Sequence, residues 1–236
     1  MAAGRLVVGL AWRNVRHRPG QALLLLLGLS VATTTITLAS ALVDVSGRSW
    51  ERVSQATNGL HVAAGAEIAD MSPAQRERAR AEVARLGDAP GVIAVGGPWL
   101  SAQVDAELDG TPLRLRVQVR DTGSAAVDQP LVTAGRWLDR RDGVVLEDGF
   151  ATAAGLRPGD TITIAGQRVP VRGAALTVDV GPYPTDQPAR VWISAATAAR
   201  LGSALDGGAY DISLRLADPD RAESFAAAHP EVYDTW

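Results

Sequence analysis

The sequence predicts an α+β protein in which an amphipathic surface helix and one transmembrane helix with a stalk precede an extracytoplasmic α+β domain carrying a β-rich insertion. Three observations point there. Residues 22–43 hold no charge behind a basic flank, helix and strand patterns alternate from Leu60 onward, and residues 131–187 have short strands broken by turn dipeptides.

Composition sets the limits. The 236 residues suffice for one large domain or two small ones with a real core. Hydrophobic residues make up 47% and aromatics 5%, so the apolar mass is mostly Ala, Val and Leu. All 23 basic residues are Arg, a usage that suggests a GC-rich bacterial genome and says nothing about chemistry. Residues 1–21 carry Arg5, Arg13, Arg16 and Arg18 with no acid, which leaves 19 Arg against 26 Asp and Glu, a net −7, in the remainder. A basic start ahead of an acidic body is a membrane-protein pattern, and it argues against a nucleic-acid partner. Cysteine is absent, which excludes disulfides and thiol chemistry without fixing the compartment.

The first element is an amphipathic helix over 1–20. Leu6, Val7, Leu10, Ala11 and Val15 fall on one side while Arg13, Asn14 and Arg16 crowd the rest, so it would lie along the cytoplasmic membrane face. Trp12 suits the headgroup level, and Pro19-Gly20 is the turn into the span. Trp12, Arg13, Asn14, Arg16, Arg18 and Pro19 together mark where the chain goes into the membrane.

The second element, 21–59, is a transmembrane helix and stalk. A helix over residues 22–43 would be roughly 33 Å long, matching a hydrocarbon core of about 30 Å. A secretory signal has an apolar run of about 7–15 residues and a small-residue cleavage site. Ala39-Ser40-Ala41 meets only the second condition, so the helix is expected to stay. The positive-inside rule places the amino terminus in the cytoplasm and everything after Val43 outside. Ser30, Thr33, Thr34, Thr35, Thr37 and Ser40 bring hydroxyls, and Gly28 with Ala32 forms a small-xxx-small pair, a pattern suited to packing against a partner helix. Val45, Ser49, Arg52 or Val53, and Ala56 continue the helical spacing to a stop at Asn58-Gly59. The part beyond the membrane would stand about 20 Å above it as a stalk.

Residues 60–130 and 188–236 form the α+β core. Ser72 caps a helix with Pro73 at its first position, Gly87 as its stop, and Ala79, Val83 and Leu86 as its buried stripe. "VIAV", "WLSAQVDAEL" and "LRLRVQV" are strands, the last two joined by an Asp109-Gly110 hairpin turn. Near the end Asp218 caps a second helix, Pro219 starts it and Phe225 faces a core. Between these halves Asp142-Gly143, Pro158-Gly159 and the stretch Pro182 to Pro184 punctuate the β-rich insertion, 131–187.

The "AGRWL" at 134–138, "VVLEDGFATAAGLRPGDTITI" at 144–164 and the following "VRGAA" resemble the extracytoplasmic core of MacB-like and FtsX-like ABC transporter permeases. Gly135, Arg136, Gly155, Leu156, Gly159 and Asp160 carry that resemblance. The amino-terminal "LAWRNVRHRPGQALLLLLGLSVA" resembles the start of the same family, so the likeness touches nearly the whole chain. It implies further spans and a cytoplasmic helix that docks a separate ATPase. Neither is found before the final "EVYDTW", so the expectation is an amino-terminal piece of a longer permease or a single-pass protein beside a partner.

No catalytic constellation is visible, and the chain is not expected to be an enzyme or to hold a cofactor or metal. His17, His61 and His229 lack metal-ligand spacing. No GxxxxGK[ST] loop occurs, which excludes nucleotide chemistry from this chain. Asp105, Glu107 and Asp109 alternate along a strand as a solvated face, Arg140-Arg141-Asp142 suits an exposed turn, and Trp99, Trp137 and Trp192 suit core packing better than a ligand surface. The function expected is the anchored outer part of a permease, coupling ATP-driven motion of a partner ATPase to export or extraction of a lipophilic or lipoprotein-like substrate, or to activation of an outer partner. Membrane lipid and a homo- or hetero-dimer of permease subunits are the other expected partners. The alternatives are a single-pass binding or scaffold module and a secreted domain released by signal cleavage.

Overall fold

The computed structural model describes residues 20, 23–24, 27–35, 53–120, 124–178, 181 and 183–235. The chain divides into two units, Met1–Trp50 and Glu51–Trp236.

In the first unit residues 27–35 are helical, with Leu27, Leu29 and Val31 exposed. Thr33, Thr34 and Thr35 turn their hydroxyls back onto Leu29 O (2.9 Å), Ser30 O (2.8 Å) and Val31 O (2.8 Å). Donors satisfied within their own helix are compatible with an apolar surround without the cross-helix bonds expected from the sequence. Gly28 and Ala32 are exposed on this helix, and a Cβ built on Gly28 meets nothing within 4 Å. Among the described residues no helix is long and apolar enough to cross a membrane. Most of the predicted stalk, part of the predicted span, and the amphipathic segment with Trp12, Arg13, Asn14, Arg16, Arg18 and Pro19 lie outside the described residues.

The second unit grows from one long strand shared by two sheet systems. Its elements are β1 (Val62–Glu67), α1 (Pro73–Arg85), β2 (Val92–Leu108), β3 (Thr111–Val119), β4 (Leu131–Gly135), β5 (Val144–Glu147), α2 (Asp148–Ala154), β6 (Thr161–Ile164), β7 (Gln167–Leu176), β8 (Ala189–Ile193), α3 (Ala195–Leu201), β9 (Ala209–Leu216), α4 (Ala222–Ala228) and β10 (Val232–Thr235). The amino half of β2 pairs with β9 from Val92 to Ser101, and its carboxyl half pairs with β3 from Ser101 to Leu108. "VIAV" and "WLSAQVDAEL" are therefore one strand of 17 residues, not two. The Gly96-Gly97-Pro98 stretch that lies between them in the sequence is absorbed as a bulge against β9, because the register slips there without the pairing ending.

One system is layered, with strand order β10-β1-β9-β2. Val62, Ala64, Ile212, Leu214 and Leu216 bury one sheet face against Val83 and Leu86 at the end of α1 and Phe225 of α4. The start of α1 is fixed by Ser72, whose backbone N–H and Oγ both donate to Gln75 Oε1 (2.9 and 2.6 Å), and by Pro73 at the first turn. Its end differs from expectation. Leu86–Asp88 tightens into a 3-10 turn instead of stopping on a left-handed Gly87, and a Cβ on Gly87 would lie 2.9 Å from Val95 Cγ2, so a larger residue there would push the Val95 side chain aside.

The other system is a closed ring, β2-β3-β8-β5-β7-β6 and back to β2 through Ala106↔Ile164 and Glu107↔Thr163. The pairs β3–β8 and β5–β7 are parallel. Val104, Leu115, Val117, Leu146, Ile162, Ile164, Val169 and Val191 fill its interior with Phe150 of α2. Closure removes sheet edges from these six strands. Residues 131–187 supply β4 to β7 and α2, while β2, β3 and β8 come from outside that stretch. The Asp109-Gly110 turn forms as predicted, with φ of 48° and 80°, the two left-handed positions of a type I′ hairpin.

Candidate functional site

The site singled out by the geometry is where the helical residues 53–56 join the outer body. The stop at Asn58-Gly59 is realised: Asn58 adopts φ 51°, and Gly59 N–H donates to Ser54 O (2.7 Å). A helix end leaves carbonyls without partners inside the helix. Here Gln129 N–H donates to Thr57 O (2.7 Å) and Asp128 N–H to Asn58 O (3.1 Å), so the 124–130 segment clasps the end. Leu60, Ala63, Val127 and Val178 form an apolar plug beside it, with Val53 and Ala94 packed against them.

Under this clasp lies a buried charged network. Arg120 is 3% exposed and Asp128 is fully buried. Arg120 Nη2 donates to Asp128 Oδ2, Arg120 Nε donates to Gln118 Oε1 (2.7 Å), and Thr177 Oγ1 donates to Asp128 Oδ1 (2.8 Å). The guanidinium also stacks on Trp99, 3.3 Å from the ring centroid. Asp128 holds φ 52°, a left-handed conformation that Asp tolerates better than most side chains. Two charges out of water are tolerable only when their remaining hydrogen-bonding positions are filled, as they are here. The network thus links three things: β3, through Gln118 and Arg120; the end of β7, through Thr177; and the helix end, through the Asp128 backbone.

His61 follows directly. Its N–H donates to Leu214 O (2.9 Å), and its Nδ1 accepts Leu216 N–H (3.1 Å), which requires a neutral ring protonated at Nε2. Burial, then the positive charge of Arg215, hold its pKa below the ordinary 6.5. His229 stacks on Phe225, with centroids 4.3 Å apart.

The residues that carried the family resemblance gather at the rim of the ring. Gly135 and Gly173 are register partners on β4 and β7. A Cβ on Gly135 would lie 2.4 Å from Arg172 O, and one on Gly173 would lie 2.6 Å from both Ala134 O and Arg136 O. Arg136 donates its N–H to Arg172 O (3.1 Å) and leaves its side chain near Asp139 (3.8 Å), largely exposed. Gly155, φ 66°, ends α2, and Leu156 N–H closes the cap on Ala151 O (3.0 Å). Gly159 N–H donates to Val171 O (2.9 Å), while Asp160 Oδ2 accepts Arg157 N–H (2.7 Å). These contacts are all made within the fold.

The Arg140-Arg141-Asp142 stretch does more than turn. Asp142 accepts from Thr197 Oγ1 (2.7 Å) and from Arg200, tying the turn to α3. Trp192 is fully buried and Trp137 packs on it at 5.7 Å, while Trp99 lies under Arg120. Asp105, Glu107 and Asp109 are exposed, as their alternation predicts. Among the described residues no group of three or more His, Asp or Glu is placed to hold a metal.

The family model described as the MacB-like periplasmic core domain matches residues 22–232. Among solved structures the chain is similar to the extracellular domain of the ABC-type transporter YknZ from Gram-positive bacteria, at 13% identity over 70% of this chain and 88% of that one, with a TM-score of 0.43. It is also similar to the periplasmic region of MacB from Actinobacillus actinomycetemcomitans, at 13% identity over 75% and 88%, with a TM-score of 0.42. No curated protein matches.

Proposed function

The chain belongs to the MacB-like periplasmic core domain family of ABC transporter permeases, and from that premise we propose that it is the membrane-anchored outer part of such a permease. Residues 22–43 cross the cytoplasmic membrane once, the amino terminus stays inside, and the second unit stands outside. The family match begins at residue 22, at the head of the uncharged run, which supports a retained helix over a cleaved signal.

The observation that carries the mechanical reading is the clasp at Thr57 and Asn58. A cytoplasmic partner ATPase, reached through other permease segments or subunits, moves the membrane helices. The stalk passes that movement to the body at one hydrogen-bonded, apolar and charge-locked junction. The body handles a lipophilic or lipoprotein-like substrate or acts on an outer partner, and no residue of this chain does bond chemistry. Subunits pair as homo- or hetero-dimers through their membrane helices, with Gly28 and Ala32 on the packing face.

The native chain has no cysteine, so Thr111→Cys creates a single label site beside the exposed hairpin. A membrane-impermeant maleimide should label this variant in intact spheroplasts, and the intact mass of the extracted protein should include residues 1–41. Labelling only after lysis reverses the topology. A mature terminus at Leu42 replaces the permease reading with a secreted domain.

A further inference from the structure

The helix end held by the clasp is an Asn-Gly pair, a sequence able to modify itself. An asparagine side chain converts when the backbone nitrogen of the next residue attacks its carbonyl carbon, and a glycine in that next position puts no Cβ in the way. The chain has two asparagines: Asn58 precedes a glycine, whereas Asn14 precedes the β-branched Val15. Asn58 is exposed and Gly59 is buried. The peptide plane between them is pinned on both sides, because its N–H, on Gly59, donates to Ser54 O (2.7 Å) and its carbonyl, on Asn58, accepts Asp128 N–H (3.1 Å). Gly59 also lies so close to Ser54 that a Cβ on it would be 2.2 Å from Ser54 Oγ. Attack requires this plane to turn and the Gly59 N–H to lose its proton. Both hydrogen bonds oppose that.

We propose that Asn58-Gly59 is a self-deamidation site, silent while the junction is closed and active when the helix end and the 124–130 segment part. In the reaction a bond forms between Gly59 N and Asn58 Cγ, the bond from Cγ to the side-chain nitrogen breaks, and ammonia leaves with the Gly59 proton. Water then opens the cyclic imide. Opening at Cγ leaves aspartate, and opening at the former main-chain carbonyl leaves isoaspartate, in which that carbonyl becomes a free carboxylate off the main chain. Either product adds negative charge at the carboxyl end of a helix, where the helix dipole is already negative. The isoaspartyl product also takes out of the main chain the carbonyl that Asp128 N–H holds. A junction that has opened therefore carries a lasting chemical mark and closes less firmly afterwards. The chemistry acts on the chain itself and not on a substrate, and it depends on the junction geometry alone, not on the membrane topology above.

The test incubates the full chain in detergent, folded or unfolded in guanidinium chloride, and follows amide-to-acid conversion at each asparagine by peptide mass spectrometry, with chromatography separating the isoaspartyl form. In the unfolded chain Asn58 should convert faster than Asn14, and folding should slow Asn58 by about tenfold or more. Asp128→Asn, which breaks the charged pair, should raise the folded-state rate about threefold or more. Val127→Ala, which thins the apolar plug and leaves that pair in place, should act in the same direction and serves if the first variant does not fold. Asn58 no faster than Asn14 in the unfolded chain, equal Asn58 rates folded and unfolded, or a folded variant that converts no faster than the parent overturns the proposal.

Discussion

Breaking the Arg120–Asp128 pair should be far worse than deleting it. Asp128→Asn keeps the size and the left-handed backbone but leaves the Arg120 charge, 3% exposed, without its counter-charge. Arg120→Met leaves the fully buried Asp128 carboxylate without its guanidinium and removes the stack on Trp99. Orphaning one member of a buried ion pair costs about 3–5 kcal/mol. For a unit of this size each kcal/mol is about 2–4 °C, so either single variant should melt roughly 6–20 °C lower. The double variant buries no charge, and its loss should be smaller than the sum of the singles by at least about 2 kcal/mol. Urea unfolding followed by tryptophan fluorescence gives the three differences and hence the coupling. Single losses below about 1 kcal/mol, or strict additivity, would refute the view that this pair locks the junction. Hydrogen exchange adds a local check, since the Asp128 and Gln129 amides that hold Asn58 and Thr57 should lose protection first.

Acid should loosen the same region through His61. Because its folded pKa lies below 6.5, the unfolded chain binds the proton first, so this contribution is complete above about 6.5 and declines as pH falls from there; His61→Asn, which keeps an acceptor for Leu216 N–H, should flatten the denaturation midpoint between pH 7.5 and 5, and an unchanged slope would clear His61 of the role. Gly173→Ala should destabilise by about 2–3 kcal/mol, since its Cβ meets two carbonyl oxygens at 2.6 Å, whereas Gly166→Ala, with open space around it, should show only the strain of its φ of 74°. A chain begun at residue 51 should melt higher than one begun at residue 60, because the shorter one loses Val53 and the Thr57 and Asn58 carbonyls and leaves the Asp128 and Gln129 amides without these partners, about 2–4 kcal/mol by thermal unfolding. Identical melts would place the junction outside the stable body.

The features legible in the sequence are those whose partners are near in the chain. Ser72 and Gln75 are three residues apart, Asp109-Gly110 makes its own turn, and Asn58 stops its own helix, so each carries a local signature. Ring closure has none. Ala106 and Ile164 meet across an intervening stretch of unrelated strands, and nothing in either β2 or β6 alone names the other. The clasp was hidden for a second reason. Arg120 and Asp128 have the composition of a solvated turn, and only the fold reveals that Trp99, Thr177 and the helix end enclose them. Gly96-Gly97-Pro98 misled in the opposite sense, since a turn-forming triplet was accommodated inside a continuous strand.

β1 begins four residues after Asn58 and runs between β9 and β10, with six register pairs on one side and three on the other. Tension applied ahead of Leu60 therefore pulls along the axis of an interior strand. The ladder bonds are loaded sideways and together, in shear, instead of being peeled one after another from an edge. A domain gripped in this way would hold against a tug up to a threshold and then give way abruptly.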